Sequence, residues 1–212
     1  MKINIVHLGL PDFFLRKSDI IYGLYHALQS LGYDTTITHN QLNGKSMNLI
    51  IGSDIVSSDP SAIQQLIRAD FDYAVFEVEN FNGSTINYIP DFPLNNYLML
   101  LENAKFIITP YQYNLRSLVS VCGQEKVRYA KWGYHESMKT GNVSRTNKFE
   151  FDALFFGLIK GTRQQKYETL KQNLSSKIKV ITAKDPYTLR DYAVSQSRFG
   201  LSLSYGETDD FV

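Results

Sequence analysis

Residues 152–170 read DALFFGLIKGTRQQKYETL. A short apolar run, Ala153 to Phe156, leads into Gly157. Gly161, Thr162 and Arg163 follow, and Lys166 lies one turn along what reads as a helix. Strand, glycine turn, basic residue, helix is an arrangement that suits a phosphate. Glycine lets the backbone approach an anion with no Cβ in the way. The first amides of a helix are orphan donors with a partial positive charge, and an arginine beside them adds charge-assisted hydrogen bonds. The same pattern serves tight turning and solubility in many α/β proteins, so the residues alone leave both roles open.

A second candidate is FEVENFNG, residues 76–83. Glu77 and Glu79 end an apolar run, at the strand end where α/β sheets place their ligands. Side chains two apart share one face of a strand, and one of these acids could take a proton from a bound hydroxyl as a general base. A polar strand end with no chemistry fits equally well. His7 lies within the first apolar run and reads as a core histidine before a base. His135, in YAKWGYHESM (129–138), reads as a hinge or the rim of a cleft. The four His and one Cys show no metal-ligand spacing, and no bound metal is expected. G-x-G-x-x-G, G-x-S-x-G and the P-loop pattern are all missing from the sequence.

The elements that would carry these residues alternate. Strands are expected at 3–8, 33–39, 48–53, 72–79, 105–110 and 126–132. Helices are expected at 18–32, 59–69, 94–104 and 113–123. Ser18 is the expected N-cap of the first helix and Gly32 its stop; Pro60 falls in the first turn of the second. Residues 137–149 are polar and read as a linker. The pattern then restarts, with strands at 151–157, 178–183 and 199–204 and helices at 163–176 and 185–197. Alternation of this kind implies parallel sheets covered by helices. The expected organisation is a Rossmann-like unit over 1–136, the linker, and a second, incomplete Rossmann-like unit over 150–212.

The chain has 212 residues, 43% hydrophobic and 20% charged, with 13 Phe and 14 Tyr to build cores. Its net charge of +1 gives no electrostatic case for nucleic acid as a partner. The single Cys122 excludes an internal disulfide and fits a reducing compartment. The sequence has no run near the roughly 18 apolar residues of a membrane span. Pro11 and Asp12 interrupt the N-terminal apolar run before any cleavage-like site, so a cytoplasmic protein is the expectation.

Two segments carry a resemblance. ALFFGLIKGTRQQKYETL resembles the start of the C-terminal domain of GT-B glycosyltransferases, in which a strand ends in Gly and an Arg or Lys opens the next helix. YAKWGYHESM resembles their inter-domain segment. The nearest subgroup is the spore-maturation-type glycosyltransferases of bacteria, with a Phe-x-Gly strand end, an arginine at the following helix, and an R-x-G-L-x-L strand similar to RFGLSLS (198–204). The resemblance spans most of the chain as a pattern and is specific over about forty residues.

It implies a GT-B-like fold and metal-independent transfer of a sugar from a nucleotide-diphosphate donor to an unknown acceptor, with no other cofactor. The donor diphosphate would meet Gly157, Gly161, Thr162, Arg163 and Lys166. Arg163 would also stabilise the departing charge, and Glu79 or Glu77 would serve the acceptor. Gly206 and Glu207, in SYGETDDFV (204–212), match the start of the donor-sugar loop. The ribose-binding helix of the family has no counterpart before Val212. The chain is therefore expected to be a fragment or a shortened relative, and the alternative function is a non-catalytic protein that binds a ligand or a partner chain completing the second sheet.

Overall fold

The structure, a computed structural model, describes residues 1–53, 55–56, 60–87, 91–131, 133, 135, 149–157, 159, 161–173, 177–181 and 192–201. The chain divides into two compact units, Met1–Met138 and Lys139–Val212.

The first unit is a six-stranded parallel sheet in the order β2-β1-β3-β4-β5-β6. Its strands are β1 (Lys2–His7), β2 (Asp34–His39), β3 (Met47–Ile51), β4 (Tyr73–Phe76), β5 (Ile107–Thr109) and β6 (Val127–Tyr129). The helices are α1 (Pro11–Arg16), α2 (Ser18–Ser30), α3 (Pro60–Arg68), α4 (Leu94–Glu102) and α5 (Gln112–Cys122). The period of two divides each strand between two cores. Ile3, Ile5, Leu49, Ile51 and Phe76 pack with Ile21 of α2. Val6, Ile50, Val75 and Ile107 pack with Ile63 of α3, Tyr97 and Leu100 of α4, and Leu118 of α5. Both faces of the central strands are covered, which is why those strands read as nearly continuous apolar runs.

Two buried asparagines interrupt those runs for a reason. The β2–β3 connection, residues 40–46, is a loop rather than a helix, and its backbone needs partners where it crosses the sheet. Asn4 donates to the Gln41 carbonyl at 3.1 Å and to Asn48 Oδ1 at 3.0 Å, and its own oxygen accepts from the hydroxyls of Thr36 and Thr38. Asn48 accepts from Asn43 N and donates to the carbonyls of Asn43, Ser46 and Asp72. A buried amide with every position satisfied is tolerated.

The expected strands are present, some shorter than their patterns. β4 stops at Phe76, so Glu77 and Glu79 stand beyond it. α1 replaces an expected loop, with Pro11 and Asp12 as its first two residues. Ser18 is not the cap of α2; Lys17 holds that position with no side-chain capping bond, and Ser18 is buried inside the helix. Gly32 has φ +83, as a helix stop requires.

The second unit has three parallel strands in the order β8-β7-β9: β7 (Phe151–Phe156), β8 (Ile178–Ile181) and β9 (Ser197–Leu201). α6 (Thr162–Asn173) follows β7. Leu154, Ile181 and Ala193 form its buried centre. Among the described residues no helix is long and apolar enough to cross a membrane. The expected linker at 137–149 lies almost wholly outside the described residues, as does most of the expected helix at 185–197.

Candidate functional site

In the first unit β2 lies on one side of β1 and β3 on the other. The order of connection therefore reverses between β1 and β3, and the carboxyl edge at such a reversal is where open α/β sheets bind ligands. Buried polar side chains gather along this edge: His7, Lys17, Ser53, Glu77, Thr109 and Asn114.

The two acids after β4 differ in their surroundings. The Glu77 amide extends the β4–β5 ladder by donating to the Ile108 carbonyl at 2.7 Å. Its side chain is fully buried; one carboxylate oxygen accepts from the Glu79 amide at 2.7 Å and the other from the Tyr97 hydroxyl at 2.9 Å. Burial, aided by the nearby Glu79 charge, pushes the Glu77 carboxyl up to about 7, against the opposing pull of the Glu79 amide, Lys17 and Tyr97. Burial and the Glu77 carboxylate push the Tyr97 hydroxyl well above its usual range. Glu79 keeps 22% of its side-chain surface exposed and pairs with Lys17 Nζ at 2.7 Å, while Asn87 Nδ2 donates to its other oxygen.

Lys17 reaches this position from the α1–α2 junction because Gly52, just after β3, lacks a side chain. Its Nζ occupies the space a Cβ at Gly52 would take, and Gly52 has φ +72. Asn114 in the first turn of α5 ties the edge together. It donates to the Glu79 carbonyl at 2.7 Å and to Thr109 Oγ1 at 3.3 Å, and accepts from Phe81 N at 3.0 Å. The intervening loop is closed by the Phe81–Ile86 bridge and by Asn82, whose Oδ1 accepts from the amides of Ser84 and Thr85. Glu79 is thus a partly exposed carboxylate on a rigid edge, and Glu77 a buried one that changes protonation near neutral pH. Lys17, Tyr97 and Asn114 were not signalled by any local pattern in the sequence.

His7 is fully buried at the end of β1, its ring stacked on His39 of β2 at 5.5 Å and 25°. His135 is half-buried, with Nε2 2.9 Å from Ser30 Oγ and its ring stacked on His26 at 6.1 Å. It helps line a largely apolar pocket of about 390 Å³ bounded by α2, Phe76, Ala130, Lys131 and Gly133.

In the second unit β7 ends at Gly157, whose φ is +148 and whose amide donates to the Ile181 carbonyl at 2.9 Å. A Cβ at Gly157 would lie 3.2 Å from the Phe155 ring and 3.6 Å from Arg163 Nη1, so the strand end and the first turn of α6 come together. The Arg163 guanidinium lies 5.9 Å from the Phe155 ring centre. Gly161 has φ +56, and its carbonyl accepts the first intrahelical bonds, from Gln164 at 3.0 Å and Gln165 at 3.4 Å. Lys166 is half-buried on the same helix, three residues beyond Arg163. The side chain of Thr162, and Gly206 and Glu207 entirely, lie outside the described residues. Among the described residues no group of three or more His, Cys, Asp or Glu side chains is placed to hold a metal.

No protein-family model matches the chain, and no curated protein matches its sequence.

Proposed function

We propose that the chain acts in glycosyl transfer from a nucleotide-diphosphate sugar, with the donor diphosphate held by the second unit and the acceptor by the first. The observation that carries this reading is the juxtaposition of Gly157 and Arg163: a positive-φ glycine at a parallel strand end, with a guanidinium against it in the first turn of the next helix. Diphosphate oxygens would accept from Arg163, Lys166 and the backbone after Gly157. As the bond to the sugar breaks, negative charge grows on the departing diphosphate, and Arg163 would stabilise it more strongly in the transition state than before. On the acceptor side Glu79, fixed by Lys17 and Asn114, would orient a hydroxyl, while Glu77 acts through it from inside the core. Incubating the chain with UDP- and GDP-sugars and measuring nucleotide release tests the reading: release that Arg163→Ala abolishes supports it, and release that Arg163→Ala leaves intact removes Arg163 from the site.

A non-catalytic binding protein is the second reading. It is favoured by the saturation of the acids, since Glu77 and Glu79 are engaged by Tyr97, Lys17, Asn87 and a backbone amide. On that reading nucleotides or partners bind and no sugar nucleotide is turned over.

A further inference from the structure

The two faces of the six-stranded sheet are covered unequally. Helices α3, α4 and α5 pack on one face. Among the described residues, α2 and Phe14 of α1 are the helical cover of the other. Phe76 and Ile108 lie side by side in the β4–β5 register and belong to this second face. Phe76 is buried, but Ile108 stays half-buried. A parallel sheet is normally covered on both faces, and here the cover is incomplete. The apolar pocket of about 390 Å³ lies at this face, against Phe76.

The lining is built rather than accidental. Ile20, Leu24 and Ala27 line the pocket at helical spacing, each half-buried, with Gly23 among them. Glycine is unfavourable inside a helix, and here its missing side chain leaves room in the pocket. The lining after β6 is held at two points. The Ala130 amide donates to the Thr109 carbonyl at 3.1 Å. Ser30 Oγ gives its one hydrogen to the His26 carbonyl at 2.9 Å, so His135 Nε2, 2.9 Å away, donates to Ser30 Oγ. Small-molecule sites are usually preformed in this way, with volumes of about 300–1,000 Å³. Two charged side chains complete the lining, Asp19 and Lys131. Asp19 stands in the first turn of α2, where the helix dipole offsets its charge. Among the described residues no carboxylate pairs with Lys131.

We propose that this pocket binds a small amphiphile, an apolar chain ending in a carboxylate, with the chain against Ile20, Gly23, Leu24 and Phe76 and the carboxylate at Lys131. The apolar lining supplies the affinity by removing the chain from water. The lysine supplies the preference for an anion. The site lies wholly within the first unit and stands apart from the glycosyl-transfer reading, so neither depends on the other.

The test titrates decanoate, decanol and decyltrimethylammonium into the full chain, each below its micelle or solubility limit, followed by calorimetry and by methyl spectra. Decanoate is expected to bind at one saturable site, more tightly than the other two, and to shift the methyls of Ile20, Leu24 and Ala27. Gly23→Leu fills the pocket and suits the helix better, so it should abolish binding without lowering the unfolding temperature. Lys131→Met should weaken decanoate about three- to fivefold, as an exposed ion pair allows, and leave decanol unchanged. If Gly23→Leu fails to fold, the methyl shifts of the wild type decide. Absence of saturable binding overturns the proposal, whether the pocket is empty or covered by a second copy of the chain. So does binding that leaves those three methyls unmoved, or that a folded Gly23→Leu protein retains. Decanol or decyltrimethylammonium binding as tightly as decanoate overturns the assignment of a carboxylate.

Discussion

The carboxyl edge of the six-stranded sheet and the glycine turn of the three-stranded unit are both ends of parallel strands, built in opposite ways. At the first, charge is spent internally: Lys17 on Glu79, Tyr97 on Glu77, Asn114 on the backbone. At the second, side chains have been removed, and Gly157 and Gly161 leave backbone beside Arg163. A satisfied buried network supports the fold and orients what touches it. A glycine strand end beside the first turn of a helix leaves room for an anion. Mutations should therefore damage stability at the first region and binding at the second.

The largest effect expected is at Lys17. Lys17→Met leaves Glu79 without its cation beside the already buried Glu77, and removing one partner of a largely buried pair costs about 3–5 kcal/mol. Urea unfolding measures this. A cost within the noise of surface substitutions would mean that the cluster is not a structural element and would erase the contrast between the regions.

Next is the pH dependence that Glu77 imposes. The folded carboxyl holds its proton up to about 7, against an ordinary value of 4.5. Between those values the folded state binds more protons than the unfolded state, so this group makes stability fall as pH rises through the window and level off above it. The loss is at most about 3–4 kcal/mol. Glu77→Gln keeps the shape and removes the titration, so its unfolding free energy should be flatter from pH 4.5 to 7 and should exceed that of the wild type above pH 7. A wild-type curve that rises across this window would show that Glu77 is ionised in the fold.

Gly157→Val is expected to be intermediate. It forces a branched side chain into φ +148 and against Phe155, a strain of about 1–3 kcal/mol. It should also block any anion that approaches the strand end. Thermal unfolding reads the first effect and nucleotide titration the second. A variant as stable as the wild type would show that the turn relaxes to suit a Cβ.

Much of this architecture was readable in the residues. Apolar runs such as Ile3–Leu8 and Asn48–Ile51, separated by amphipathic stretches, have few folds open to them besides a parallel sheet. Gly157 and Arg163 were readable because a glycine turn and a helix start are local features. The limits of local reading show at β4. The apolar alternation through Val78 looked like strand to residue 79, yet β4 ends at Phe76, level with Ile51, the last residue of its neighbour β3. α1 was read as loop although Pro11 and Asp12 are good first-turn residues, since a segment this short has little periodicity. Lys17, Tyr97 and Asn114 meet the acids from three separate helical segments. Such contacts are set by topology, which no window of sequence contains. Asn4 and Asn48 interrupt apolar strands because their amides hold the loop between β2 and β3.

The smallest effect on stability, and the greatest bearing on function, is expected at Arg163. Arg163 is half-buried over the Phe155 ring, and Arg163→Ala should change unfolding by about 0.5–1 kcal/mol. Calorimetric titration of UDP and GDP into the wild type and Arg163→Ala is the most direct test of the proposed diphosphate site. The account predicts that the wild type binds and that Arg163→Ala binds about ten- to a hundredfold more weakly, the loss of a hydrogen bond to a charged group. Equal affinity in the two proteins, or no binding by the wild type, would contradict it.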